Sequence, residues 1–289
     1  MKKSIFILGS EGLLGSALKK ELRLNESKNF YTFTLAKKNS DFNLNLKNFS
    51  KLQKILCNNK IDILINCAAH TNLIECQKSY KKINKINVLL PKFLARLSLK
   101  LNFKLIHISS DSIYASAKKN KLNKENDKIN YSNNYSKSKF FAERELSKKK
   151  HLILRSNFIT MKKKSFPNFL LDKIKQNKHI YLYNDFYTSS LDLENYVKVL
   201  IKIIKSNLKG IYNIGSKDSI SKKEFAIKFS KKINKKLIYS SISAIETKII
   251  SRNLNIGMNV SKLEKKLKVK MINSNQVIKN LIQNVNIRN

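Results

Sequence analysis

The 289-residue chain has six glycines, and three of them, Gly9, Gly12 and Gly15, fall within the seven residues GSEGLLG. An apolar run, SIFIL at 4–8, leads into this stretch, and a helical pattern, LLGSALKKEL, leads out of it. Glycine carries an entropic cost wherever it is not needed. Three at one strand-to-helix turn therefore mark a backbone that turns tightly, is approached closely, and packs helix on strand with no Cβ between them. The helix that begins there presents unsatisfied N–H groups at its first turn, which favours a phosphate. We read Gly9, Ser10, Glu11, Gly12, Leu13, Leu14 and Gly15 as a loop for a dinucleotide pyrophosphate, with the spacing GxxGxxG in place of the commoner GxGxxG.

Further apolar runs of strand length follow: FYTFTL at 30–35, IDILIN at 61–66, FKLIHIS at 103–109 and HLILR at 151–155. Between them lie the amphipathic stretches FSKLQKIL, INKINVLLPKFLARLSL and KSKFFAERELSK. Strand alternating with helix predicts an α/β, Rossmann-like doubly wound parallel sheet over residues 1–160. After Ser156 the rhythm loosens into helical NFLLDKIK, LENYVKVLIKII, KEFAIKFSKKI and QVIKNLIQNV, with IYLY and IYNIG as short strands. We expect a smaller C-terminal substrate-binding lobe from residues 161–183 and 216–289, with 184–215 returning to the first domain. The end of the second strand reads Leu35-Ala36-Lys37-Lys38, with no acid for a ribose hydroxyl. Lys37 there favours NADP(H), with NAD(H) as the alternative.

The formal net charge is +40. Only six of the 59 basic residues are Arg, and the lysines run along the whole chain. Base readout favours Arg, so we expect no specific nucleic-acid partner. No apolar stretch approaches a membrane span, and Gly9, Glu11 and Gly12 cut short the run that follows Lys2 and Lys3. Cys57, Cys67 and Cys76 form neither an even framework nor a CxxC pair, and the four histidines show no ligand spacing. The expectation is a soluble cytoplasmic protein with no metal site and no membrane partner.

Within NNYSKSK, Lys139 follows Tyr135 by four residues, a spacing that a helix turns into one face. With 11 Tyr and 59 basic residues, chance alone gives roughly two such pairs, and the chain has two, Tyr135/Lys139 and Tyr114/Lys118. Context separates them. GSEGLLG, NCAAHTN at 66–72, ISSDSIY at 108–114, and then Tyr135 and Lys139 together resemble the extended short-chain dehydrogenase/reductase family in order and spacing. SRNLNIGMNVSKLEKKL at 251–267 resembles the C-terminal signature of its sugar-nucleotide reductase branch, so the likeness covers most of the chain.

The resemblance implies a catalytic set of Ser110, Tyr135 and Lys139, with Tyr114 as a structural aromatic. A free tyrosine titrates near ~10, and a neighbouring ammonium favours its phenolate. Tyr135 would thus be the general acid, Lys139 would tune it and hold the nicotinamide ribose, and Ser110 would bond the substrate oxygen. Asp111, directly after Ser110, resembles the dTDP-4-dehydrorhamnose reductase pattern, and Ser112 stands where dehydratases carry a glutamate. The likeness further implies that Asn66, Cys67, Ala68 and Ala69 pass the adenosine and pyrophosphate. Thr71 falls on the substrate side, Asn157 and Phe158 follow Arg155 and Ser156 along the nicotinamide and sugar, and Arg252 lies near the nucleotide phosphates. Two departures bear on the sugar: Ile74 and Gln77 replace an acidic pair, and Ser189-Ser190 replaces Pro-Thr. The expected activity is NADP(H)-dependent reduction of the 4-keto group of a nucleotide-linked deoxysugar by a protein whose family habit is a homodimer. A nucleotide-sugar epimerase and a non-catalytic cofactor-binding regulatory subunit are the alternatives.

Overall fold

The computed structural model describes residues 2–114, 121–162, 164–247 and 253–283. Six strands open the chain: β1 (Lys3–Leu8), β2 (Phe30–Ala36), β3 (Phe42–Asn43), β4 (Ile63–Asn66), β5 (Lys104–Ile108) and β6 (Leu152–Ser156). They pair in parallel. With the later strand Gly210–Ile214 they form one seven-stranded sheet, in the order Gly210–Ile214, β6, β5, β4, β1, β2, β3. The chain order reverses direction at β1, which makes the sheet doubly wound and opens a crevice at the carboxyl ends of its strands.

Ile5, Phe6, Ile7 and Leu8 are all fully buried. Successive strand residues point to opposite faces, so both faces of β1 are covered, as a parallel sheet requires. Helix α1 (Leu13–Leu24) buries Leu14, Leu18 and Leu22 at helical spacing and packs on β1 and β2. Phe6 and Leu8 join a core with Leu52 and Leu56 of helix α2 (Phe49–Cys57). The long amphipathic pattern before β5 is not one regular helix. After α3 (Leu73–Lys78), it runs from the end of α4 (Tyr80–Asn84) through a π-helical turn over Lys85–Leu89 into α5 (Leu90–Leu101), which has a proline in its first turn. Helix α6 (Asn134–Arg144) starts at a capping box formed by Asn133 and Ser136.

The chain divides into two compact units: residues 1–110, 133–155 and 197–212 in the first, and 111–132, 156–196 and 213–289 in the second. The second unit is built of short strand pairs, such as Ile180–Tyr183 with Tyr239–Ile242, and of helices including Phe166–Lys175, Lys222–Lys232 and Ser274–Gln283. Its apolar cluster gathers Tyr114, Phe186, Ile256 and Met258. Tyr114 is fully buried, and its hydroxyl donates to Asn213 Oδ1 at 2.8 Å, a structural use of that tyrosine. Lys118, its partner by spacing, lies outside the described residues. No described helix is long and apolar enough to cross a membrane.

Candidate active site

The glycine loop lies between β1 and α1. Gly9 has φ +78°, a conformation that a side chain disfavours, and a Cβ there would stand 2.8 Å from the Ala68 nitrogen. A Cβ on Gly15 would meet the Gly9 carbonyl oxygen at 2.3 Å, so only glycine lets α1 sit on the turn. Gly12 is the N-cap and brings no side chain to the first turn of α1, which leaves that turn to an outside acceptor. Beside the loop, the Ser10 hydroxyl is buried without a partner. A cleft of about 300 Å³ opens over this turn, and Gly9, Glu11, Gly12, Lys37, Cys67, Ala68 and Ala69 all line it.

Other residues expected at the cofactor stand differently. Leu14 turns into the core while Leu13 is exposed. The Asn66 side chain points inward: its Oδ1 accepts the Ala68 N–H at 3.1 Å and its amide donates to His107 Nδ1 at 3.2 Å. Two residues that the sequence did not single out, Lys47 and His70, line the cleft. His70 Nε2 is buried without a partner, and its backbone N–H donates to Asn87 Oδ1 at 2.8 Å. Asn87, on the π-helical turn, also donates to the His70 carbonyl and to Ser138 Oγ at 2.9 Å. It thereby ties α6 to the end of β4, in keeping with the habit of π-turns to mark functional places.

Tyr135 sits half-buried in the first turn of α6. One turn on, Lys139 is 2% exposed and is the one fully buried lysine among the described residues. Its Nζ donates to the Ile108 carbonyl at 2.7 Å, two residues before Ser110. Burial pulls its pKa down to about 8, opposed by the Glu143 carboxylate and by Cys67. Burial also pushes the Cys67 thiol up to about 12, against the pull of the Lys139 ammonium. The His107 imidazole, buried and close to Lys139, is held well below its ordinary range and stays neutral.

Ser110 is buried where the first unit ends. Asp111 opens the second unit, buried, with its carboxylate accepting the Asn157 amide. Asn157 Oδ1 in turn accepts from Ser190 Oγ at 2.8 Å, so one of the serines in the Pro-Thr position takes part in holding Asn157. Phe158 packs on Tyr196 with ring centroids 5.1 Å apart. Thr71 is exposed just ahead of α3, and Arg252 lies outside the described residues. Arg155, expected with its neighbours along the sugar, is instead 3% exposed and grips Glu143, with Nη2 at 2.8 Å from Oε2. A carboxylate at that depth demands a cation, and the guanidinium is the group that meets it.

Comparison with known proteins places this chain in a sugar-nucleotide family. The family model described as RmlD substrate binding domain matches residues 1–287. A probable low-salt glycan biosynthesis reductase of Haloferax volcanii is 22% identical over 275 residues, 91% of each chain. The crystal structure of a dTDP-4-dehydrorhamnose reductase from Bacillus anthracis in complex with NADP shares 23% identity and a TM-score of 0.87, covering 99% of each chain. A dTDP-4-dehydrorhamnose reductase from Clostridium acetobutylicum gives 20% identity and a TM-score of 0.85, with 97% of this chain and 98% of that one covered.

Proposed function

The chain belongs to the RmlD substrate binding domain family, the sugar-nucleotide branch of the extended short-chain dehydrogenase/reductases, and on that footing we propose that it reduces the 4-keto group of a nucleotide-linked deoxysugar with NADPH. The observation that carries this is Lys139: of 59 basic side chains in the sequence, six of them Arg, it is the one described lysine taken fully out of water, one helical turn from Tyr135. Burying an ammonium is expensive, and the site is where that expense has a use.

The residues present fit a dinucleotide. The unpartnered Ser10 hydroxyl, the left-handed Gly9 and the closeness of Gly15 to Gly9 form a cradle that a Cβ would fill. Gly9, Gly12, Ala68 and Ala69 would hold the pyrophosphate and adenosine, and Lys37 with Lys47 at the cleft would attract a ribose phosphate. The nicotinamide, when bound, supplies hydride. Tyr135 gives its proton to the ketone oxygen as negative charge develops there, and Ser110 donates a hydrogen bond to the same oxygen. Lys139 stabilises the resulting phenolate. Asp111, held by Asn157, would face the sugar hydroxyls. The test is the decay of NADPH absorbance with a panel of nucleotide 4-keto-deoxysugars, alongside Tyr135→Phe. Turnover that the variant loses supports the proposal, and a protein that binds NADPH yet reduces no ketosugar sinks it.

A further inference from the structure

Helix α6 carries a second buried charge. Glu143 follows Lys139 by one turn and is 5% exposed. Arg155 on β6 holds it through Nε, at 3.1 and 3.2 Å from the two carboxylate oxygens, and through Nη2 at 2.8 Å. Ser109 Oγ donates to Glu143 Oε1 at 2.6 Å, and the next residue is Ser110. A buried ion pair seldom adds net stability over apolar side chains of the same volume, so this one is better explained by what it does to its surroundings.

What surrounds it is Lys139. The groups that act on that ammonium are Glu143 one turn along its own helix, Cys67 after β4, His107 on β5, and Arg155 of β6 by way of Glu143, while Tyr135 lies one turn back on the same helix. The Cys67 thiol and the His107 imidazole are neutral near pH 7. Glu143 is the one carboxylate acting on Lys139 among the described residues. The same carboxylate anchors the end of β5, whose Ile108 carbonyl accepts a hydrogen bond from the Lys139 ammonium and whose continuation carries Ser110.

We propose that Glu143 is a positioning residue: clamped by Arg155 and Ser109, its carboxylate is the fixed counter-charge that keeps Lys139 an ammonium inside the protein and holds the Ser110 end of β5 against α6. It serves the reaction only if Tyr135 and Lys139 are the proton-delivering pair proposed above.

Two variants test it. Glu143→Gln keeps the shape and removes the charge. The double variant E143Q/R155M, for use should E143Q alone be too unstable to purify, leaves no buried guanidinium unpaired, and because the lost cation opposed the lost carboxylate its Lys139 midpoint should fall by less than in E143Q while staying below the parent's. Carbon-13 NMR of the lysine Cε groups, with the Lys139 signal identified by its absence in Lys139→Met, reports the titration directly and needs no substrate. In E143Q the expected result is a Lys139 midpoint about one pH unit below that of the parent protein, with NADPH-dependent ketosugar reduction down about fivefold near pH ~8 and recovering toward pH ~6.5. A carboxylate with a merely structural role would cost the same factor at every pH. An unmoved midpoint in a folded variant, or a rate loss without pH dependence, overturns the proposal. If the parent protein reduces no ketosugar, the functional reading fails by itself, and the NMR midpoint still decides whether Glu143 is the counter-charge.

Discussion

Helices α1 and α6 belong to the same unit and bury residues at the same spacing, yet they bury opposite kinds of side chain. In α1 the inward positions are Leu14, Leu18 and Leu22. In α6 they are Ser136, Ser138, Lys139, Ala142 and Glu143. An apolar stripe against a sheet stabilises by about 1.5–3 kcal/mol for each fully buried leucine. A polar stripe has to be satisfied group by group: Ser138 by Asn87 and the Tyr135 carbonyl, Lys139 by the Ile108 carbonyl, Glu143 by Arg155 and Ser109. The contrast teaches that α1 secures the sheet, while α6 gives up that gain to hold reactive groups at a set place beside it.

The largest expected effect lies in α6. Tyr135→Phe should lower turnover by about 10²–10⁴-fold, the usual contribution of a positioned proton donor, with an unchanged melting temperature. Steady-state NADPH oxidation and a thermal melt on the same preparation check both halves. In α1 the effect should fall the other way. Leu18→Ala leaves a cavity under a fully buried side chain and should cost about 2–5 kcal/mol in urea unfolding, with turnover per folded molecule unchanged. A loss of rate without a loss of stability would break the comparison.

Lys139→Met sharpens it, because it should abolish activity and stabilise the fold. Burial pulls the Lys139 pKa down to about 8 in the folded protein, from 10.5 for a lysine in water. Between those values the unfolded chain binds more protons, so stability rises with pH there. Below pH 8 the burial penalty is fully present, on the order of 3 kcal/mol, and above 10.5 it is gone. The advantage of Lys139→Met should therefore be greatest at pH 7 and shrink as pH climbs through that window. Urea melts at pH 7 and at pH ~9.5 would show it. The smallest effect belongs to the cleft over α1. Lys37→Ala or Lys47→Ala should each reduce the preference for NADPH over NADH by about tenfold at low salt, and by less at high salt, read from the two KM values.

Much of the first unit was legible as local pattern. SIFIL, FYTFTL, IDILIN, FKLIHIS and HLILR all became strands, because apolar runs of that length between helical patterns leave few other choices. Phe42–Asn43 was not read, since a two-residue edge strand has no periodicity to show. Nor was the π-helical turn at Lys85–Leu89: apolar spacing does not distinguish one extra residue in a turn, and what occupies that turn is Asn87, whose partners lie 17 and 51 residues away. In the candidate site, the glycine turn and the Tyr135/Lys139 face were readable from spacing and order. Glu143 stands at the same spacing from Lys139, but nothing in AERELSK sets it apart from its charged neighbours, and the sequence did not single it out. Arg155 was assigned to the sugar for want of knowing its buried partner.

By itself the sequence determined what depends on neighbours along the chain: a turn only glycine can make, the alternation of strand and helix, and a tyrosine and lysine on one helical face. It left the lysines, all but six of the 59 basic side chains, chemically alike. Order and resemblance pointed to Lys139, but only the tertiary structure decided its burial and counter-charge, because both are sums over groups from distant segments. The Ile108 carbonyl, Cys67, His107 and the Glu143–Arg155 pair come together around Lys139 only when β4, β5, β6 and α6 have packed.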